Sequence, residues 1–184
     1  LDFSRQKEPE MSLASVNNLI DNVLNVAEKQ YRKEKIEIIR ELDPGIPHTM
    51  MDAHQMEQVI INITNNAVFA MKESAESADR IGIPRRGALT VGSHFHQDKG
   101  CIEIFIQDTG KGIQQNDLGK IFDPFFTRRK DGKGTGLGLS ISYGIVKMHD
   151  GNIEVDSEVG KGTTFRIYLP LKTKKEPESG SVKL

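Results

Sequence analysis

The run DGKGTGLGLS, residues 131–140, places glycines at Gly132, Gly134, Gly136 and Gly138, directly ahead of a segment with helical spacing. Glycines without Cβ let ligand oxygens approach the backbone amides, and the unsatisfied N–H groups at a helix start favour an anion. The run therefore carries the chemistry of phosphate binding by backbone alone. Two familiar phosphate loops are excluded. GKG occurs at 110–112, 132–134 and 160–162, and in each copy a glycine follows Gly-Lys where a P-loop needs Ser or Thr. Leu137 and Leu139 stand where G-x-G-x-x-G would need its third glycine. The same glycines would also serve a loop that only has to turn.

A second candidate is Ile102-Glu-Ile-Phe-Ile-Gln-Asp108, where alternation puts Ile102, Ile104, Ile106 and Asp108 on one face. A carboxylate among core isoleucines must find donors, because burial without them is costly. The exocyclic amine of adenine is such a donor, and the turn from Thr109 to Gly112 opens room for a flat ligand. An Asx turn accounts for the same residue without any ligand. Third, Asn62 and Asn66 leave one flank of a helical segment, about 40° apart around its axis. With Asn65 the segment carries three asparagines, which lower helix propensity. Amide oxygens suit magnesium, commonly shared with substrate phosphates; solvent-facing asparagines are the plain alternative, above all for Asn65. Fourth, Phe122, Phe125 and Phe126 crowd around Pro124 and give way to Arg128, Arg129 and Lys130. Either the aromatics anchor a loop whose cations meet an anion, or they are core followed by a solvated run. Bracketing glycines at Gly110, Gly112, Gly132 and Gly134 would let the segment work as a lid over a nucleotide. His48, His54, His94, His96 and His149 show no metal-ligand spacing and no nucleophile-triad order; His94 and His96 share a strand face expected at a surface.

Positioning these groups requires helices and strands at definite places. Ser12 is expected to cap a helix with Leu13, Val16, Ile20, Val23, Leu24, Ala27 and Tyr31 on its apolar side. Lys35 to Leu42 reads as a strand ended by the Asp43-Pro44-Gly45 turn. Asp52 opens a helix through Met71 that buries Val59, Ile63, Ala67, Ala70 and Met71, and residues 73–87 read as polar and irregular. Ala88 to His96 and Cys101 to Gln107 form a hairpin, Asn116 caps a short helix ending near Phe122, and Thr135 to His149 is a third long helix. Asn152 to Ser157 and Thr163 to Leu169 make a last hairpin. Helices and strands mixed without strict βα alternation point to an α+β sandwich. The segment after Pro170 lacks apolar periodicity and reads as a tail.

Composition narrows the function classes. A chain of 184 residues suffices for one domain with a buried core. With 28% charged residues, no segment is expected to span a bilayer. A net charge of -1 supplies no basic field for nucleic acid. Cys101, the single cysteine, can form no intrachain disulfide, and no basic-then-apolar leader opens the chain, so a cytoplasmic setting is expected. A start at Leu1 rather than Met reads as a piece of a longer polypeptide, one with room for a membrane anchor elsewhere.

Taken in order, the segments resemble the catalytic and ATP-binding domain of two-component sensor histidine kinases, in the superfamily shared with DNA gyrase, heat-shock chaperone and mismatch-repair ATPases. QVIINITNNAVFAM is similar to the N box, DTGKGI to the first glycine box, FDPFF to the phenylalanine box and GKGTGLGLS to the second glycine box. GNIEVDSEVGKGTTFRIYLP is similar to the closing hairpin. Five boxes in one order are far more specific than any one of them. The resemblance covers residues 12–170 and implies a two-layer α/β sandwich, a mixed sheet packed on helices, of the Bergerat type. It implies that residues 1–11 end a dimerisation and phosphotransfer helix and continue as linker, and that 171–184 are a flexible tail. It further implies ATP and Mg2+ as ligands, with Asn66 on the metal, Asn62 by the phosphates and Asp108 on the adenine amine. Gly110 and Gly112 would shape that pocket, with Thr163 reinforcing it through water. Gly134, Thr135, Gly136, Leu137 and Gly138 would lie along the triphosphate, and Arg128, Arg129 or Lys130 would reach the γ-phosphate.

One departure from the family pattern matters. The family's phosphoacceptor histidine is followed by an acidic residue and, shortly after, a proline, whereas His149-Asp150 is followed by Gly151 and Asn152 and no other histidine comes nearer. The acceptor is therefore expected on a separate dimerisation and histidine-phosphotransfer domain upstream, for onward transfer to a response-regulator receiver domain. This chain should not phosphorylate itself. The full-length protein is expected to be a homodimer, the fragment a monomer, and neither to bind nucleic acid. Alternatives are a regulatory nucleotide-binding module or an ATPase of the superfamily. The ATPases generally carry a glutamate where Asn62 stands, and Glu57 lies on a different helix flank.

Overall fold

The computed structural model describes residues 9–79, 86–129 and 134–173. The chain runs β1 (Ser12–Ala14), α1 (Val16–Lys33), β2 (Ile36–Leu42), β3 (Thr49–Met51), α2 (Ala53–Asp79), β4 (Gly87–His96), β5 (Cys101–Asp108), α3 (Gln115–Leu118), α4 (Gly138–Met148), β6 (Asn152–Glu158) and β7 (Gly162–Pro170). Five strands form one mixed sheet in the order β2-β4-β5-β7-β6. Only the β2–β4 pair in it is parallel, joined by the long crossover through α2. β1 and β3 pair separately as a two-stranded antiparallel ribbon.

Alternation does the work expected of it in β5. Ile102, Ile104 and Ile106 are essentially fully buried while Glu103, Phe105 and Gln107 face the other side. Each isoleucine contributes about 2 kcal/mol through burial. They meet Leu89 and Val91 of β4, Phe165 and Ile167 of β7, and the inward stripes of the helices: Ile20 and Leu24 of α1, Ile60 and Ile63 of α2, and Val146 of α4. The result is the α+β sandwich, one sheet under one layer of helices.

Several element boundaries differ from the sequence expectation. Ser12 does not cap α1; it lies in β1, and Ser15 is the cap, its Oγ accepting from Asn18 N–H at 3.3 Å. Leu13 is accordingly 56% exposed instead of lying on the helix's apolar stripe. Residues 73–79 continue α2 rather than forming an irregular stretch. Glu76 and Ser77 are exposed there, and Glu and Ala are good helix formers. Residues 80–85 lie outside the described part. Asp52 precedes α2, as expected, and accepts from Gln55 N–H at 3.1 Å. Asn116 lies inside the four-residue α3, whose preceding residue, Gln114, makes no side-chain cap bond. α4 starts at Gly138, not Thr135, because Gly136 takes a left-handed φ of +69° that no α-helix continues through. β3, three residues long, was too short to announce itself by pattern. Leu171 and Lys172 bond to Gly100 and Thr49, so the chain stays docked two residues past β7. Among the described residues no helix is long and apolar enough to cross a membrane.

Candidate active site

β5 ends by delivering Asp108 to the edge of the core, where it is 5% exposed. Its Oδ1 accepts from Gly110 N–H at 2.7 Å, so the Asx turn forms. The backbone of Thr163, its register partner on β7, provides a second hydrogen bond. Burial outweighs both bonds and pushes the carboxyl from 3.8 up to about 6. The two sequence readings of Asp108 thus coexist, because the same side chain also lines a cavity of about 580 Å3.

That cavity lies between α2, the β5–β7 floor and the segment running from α3 to α4. Asn62, Asn65, Asn66, Phe69 and Ala70 form its α2 wall, spaced as one helix flank requires. Asn66 is half-buried, and Asn65, expected to be only solvent-facing, is exposed yet also borders the cavity. Asn62 Nδ2 donates to Gly138 O at 3.1 Å and to Ser142 Oγ at 3.2 Å, tying α2 to the first turn of α4. Thr163 sits beside Asp108 in the floor, its Oγ1 bonded to Ser157 Oγ at 2.9 Å. Gly112 lines the same end with φ +71°, and a Cβ there would collide with the Glu158 carbonyl.

At the opposite end, Gly134, Thr135, Gly136 and Gly138 reach the wall. Gly136 accepts from Phe125 N–H at 2.9 Å, and its left-handed backbone lies so close to Phe125 that a Cβ would overlap it. Gly138 is different: the nearest atom to a Cβ there would be Asn62 Cγ at 3.7 Å, an ordinary contact, so no protein neighbour excludes a side chain. α4 begins here with no side-chain cap, leaving its first amides and its dipole facing the cavity.

Not every expected residue lies in the wall. Gly110 sits behind Asp108, packed against Ala70, and Leu137 is the residue before α4. Lys130 lies outside the described residues. Arg128 and Arg129 do line the cavity, but Arg128 grips the buried Asp117, donating from Nη2 to Oδ1 at 2.7 Å and from Nε to Oδ2 at 3.0 Å. That guanidinium holds the Asp117 carboxyl below its ordinary value. Arg129 stacks on Phe69, its Cζ 3.8 Å from the ring centroid. Asp117, Phe69, Lys111 and Ser142 were missed from sequence. Phe69 was within reach, three residues past Asn66 on the same flank; Asp117 and Arg128 are joined by a loop whose path no local pattern reveals. Among the histidines, His94 is exposed, His96 bonds Glu103 at 2.6 Å, and His149 is buried away from the cavity. Among the described residues no three His, Cys, Asp or Glu side chains gather as a metal site.

Known proteins share this arrangement. The chain is 38% identical over 174 residues to the sensor kinase CckA of Brucella abortus strain 2308, covering 92% of this chain and 18% of that protein. It is 30% identical over 169 residues to the sensor histidine kinase ZraS of Escherichia coli K12, covering 91% and 33%. The chain thus spans only 18% to 33% of the length of these curated relatives. The nucleotide-free catalytic domain of the histidine kinase ThkA superposes with a TM-score of 0.73 at 26% identity, over 89% of this chain and 97% of that one. ThkA solved in complex with the response regulator TrrA matches with a TM-score of 0.69 at 25% identity, over 88% and 42%. Residues 51–173, which hold α2, the cavity and four of the five strands of the sheet behind it, match the model of one family, and the chain belongs to it: the histidine kinase-, DNA gyrase B- and HSP90-like ATPases.

Proposed function

We propose that the chain is the catalytic domain of a sensor histidine kinase, binding Mg-ATP and donating its γ-phosphate to a histidine on a separate dimerisation domain. The observation that carries this reading is one cavity with a buried carboxylate at one end and an uncapped helix N-terminus at the other. Asp108, ionised, would accept from the adenine amine, with Thr163 beside it. The first amides of α4 would take the phosphates at Gly138, which lines the cavity and where glycine is demanded by no protein neighbour.

Magnesium fits the donor set. Asn66 presents an amide side chain to the cavity one helical turn from Asn62, and an amide oxygen together with phosphate oxygens and water is the coordination Mg2+ favours. When bound, the metal would neutralise charge on the phosphates. The protein's own contribution is to fix the adenine end, aim amides at the triphosphate and exclude water beneath Phe126 to Arg129. In the transfer, the bond from the γ-phosphorus to the bridging oxygen of ADP breaks and a bond to an imidazole nitrogen forms. Arg128 pairs with Asp117 and would have to leave that carboxylate to reach the γ-phosphate, as Arg129 would have to leave its stack on Phe69.

The acceptor lies outside this chain, since none of its histidines has the acceptor's sequence context; onward transfer to a response-regulator receiver domain and a cytoplasmic location belong to the same proposal. Incubating the chain with Mg-ATP and a separate polypeptide carrying the dimerisation helices tests it. Acid-labile phosphohistidine on that polypeptide supports the proposal, whereas steady phosphate release marks an ATPase and binding alone a regulatory module. The side chains favour the kinase: Asn62 is held by Gly138 and Ser142, and Glu57, near His54 at 3.6 Å, does not line the cavity.

A further inference from the structure

Among the buried polar groups outside the cavity wall are His149, 3% exposed, after α4, and Asp52, 7% exposed, before α2. His149 Nδ1 lies 2.8 Å from the Ile145 carbonyl, which can only accept, so Nδ1 carries a proton. Nε2 lies 2.9 Å from the Asp52 backbone nitrogen and accepts its N–H. The imidazole is therefore a neutral strut between α4 and the β3–α2 junction. The Asp52 carboxylate turns elsewhere. Its Oδ1 takes Gln55 N–H at 3.1 Å and its Oδ2 takes Glu10 N–H at 2.9 Å. Glu10 leads into β1, whose Leu13 pairs with Met50 of β3.

The other end of α4 is held by Asn62, which bonds Gly138 O and Ser142 Oγ. The 11-residue helix thus has a polar clamp to the α2 segment at each end, about 16 Å apart. One clamp is in the cavity wall. The other is joined to the N-terminal strand.

We infer that His149 is a positioning residue for nucleotide binding: through α4 it fixes the glycines at the helix start against Asn62 and Asn66, and through Asp52 it makes that register depend on docking of residues 10–14. The inference rests on the nucleotide reading above. An apolar side chain of similar volume would fill the space but leave the buried Asp52 N–H without its acceptor. α4 would then be held to α2 by its apolar face and the Asn62 clamp alone, and its amides would lose part of their aim.

The test uses the whole chain, with Mg-ADP titrations followed by calorimetry and hydrogen exchange of α4 amides without nucleotide. His149→Leu should bind Mg-ADP about tenfold more weakly while remaining folded, and His149→Gln, which offers both a donor and an acceptor, should recover most of the loss. Glu10→Pro deletes the N–H on Asp52 Oδ2 at an exposed position and covers the case that His149→Leu fails to fold. It should weaken binding about threefold, speed exchange across residues 138–148, and add nothing further in the His149→Leu background. A His149→Leu chain that melts earlier but keeps wild-type affinity would show a merely structural residue and overturn the inference. So would unchanged α4 exchange in Glu10→Pro, or effects of the two variants that add in full. If the wild-type chain bound no nucleotide, the nucleotide reading would fall, while the exchange experiment would still decide the coupling between β1 and α4.

Discussion

At the β5 end of the cavity, Asp108 and Thr163 are each 5% exposed and are locked opposite one another by strand register. At the α4 end, Phe125 is 69% exposed, the Arg128 side chain is 68% exposed, and shape comes from a left-handed glycine and a helix terminus. The first end is part of the core and cannot move without disturbing five strands. The second is held by separate local contacts, among them the Phe125–Gly136 hydrogen bond, the Arg128–Asp117 ion pair and the stacking of Arg129 on Phe69. Under the proposed function the first would be a preformed base-recognition end and the second a phosphate end that adapts, dividing the work between selectivity and turnover.

If that division holds, disturbing Asp108 should produce the largest loss. Asp108→Asn should weaken ATP and adenosine alike, by roughly 10- to 100-fold for one charge-assisted bond, in calorimetric titration. Affinity unchanged by the substitution would refute its role at the base.

Lowering pH should act through the same group. The folded carboxyl sits at about 6 against an ordinary 3.8, so the folded chain binds the proton more tightly than the unfolded one. This group therefore adds stability as pH falls from about 6 to about 4, and its ionised form, needed for the adenine amine, disappears over the same range. Between pH 7 and pH 5 nucleotide affinity should drop by roughly tenfold while melting of the nucleotide-free chain loses less, or gains. Asp108→Asn should flatten both trends; a wild-type affinity that rises toward pH 5 would contradict the assignment.

Changes at the phosphate end should be smaller and should spare adenosine. Asn66→Ala should remove most of the magnesium dependence of ATP binding, several-fold in affinity on the scale of one ligand. An equal magnesium requirement in the variant would move the metal elsewhere. Gly136→Ala forces a Cβ onto the Phe125 backbone at left-handed φ, a strain of about 1 to 2 kcal/mol. Its effect should appear in ATP but not adenosine binding, and equal losses for both would show that the two ends are not separable. Arg128→Ala should change affinity least, because the Arg128 side chain is largely exposed and is directed at Asp117.

The same contrast explains what was legible in the sequence. Period-two alternation placed Asp108 on the buried face of β5, and helical spacing placed Asn62 and Asn66 on one flank, since both rules depend only on local geometry. The lid end obeys no such rule. The Arg128–Asp117 pair, the stacking of Arg129 on Phe69 and the start of α4 at Gly138 depend on where a loop crosses the sandwich. The helical residues 73–79 were hidden for another reason: with no apolar face to bury, they look like a loop. The strut between His149 and Asp52 joins positions 97 residues apart and leaves no local trace.

The most direct test is a calorimetric titration of the folded chain with Mg-ATP near neutral pH. Saturable heat at one nucleotide per chain, reduced by leaving out magnesium and abolished or much weakened in Asp108→Asn, is the expected result. A flat titration with correctly folded protein would contradict the claim that this cavity is built around an adenine nucleotide.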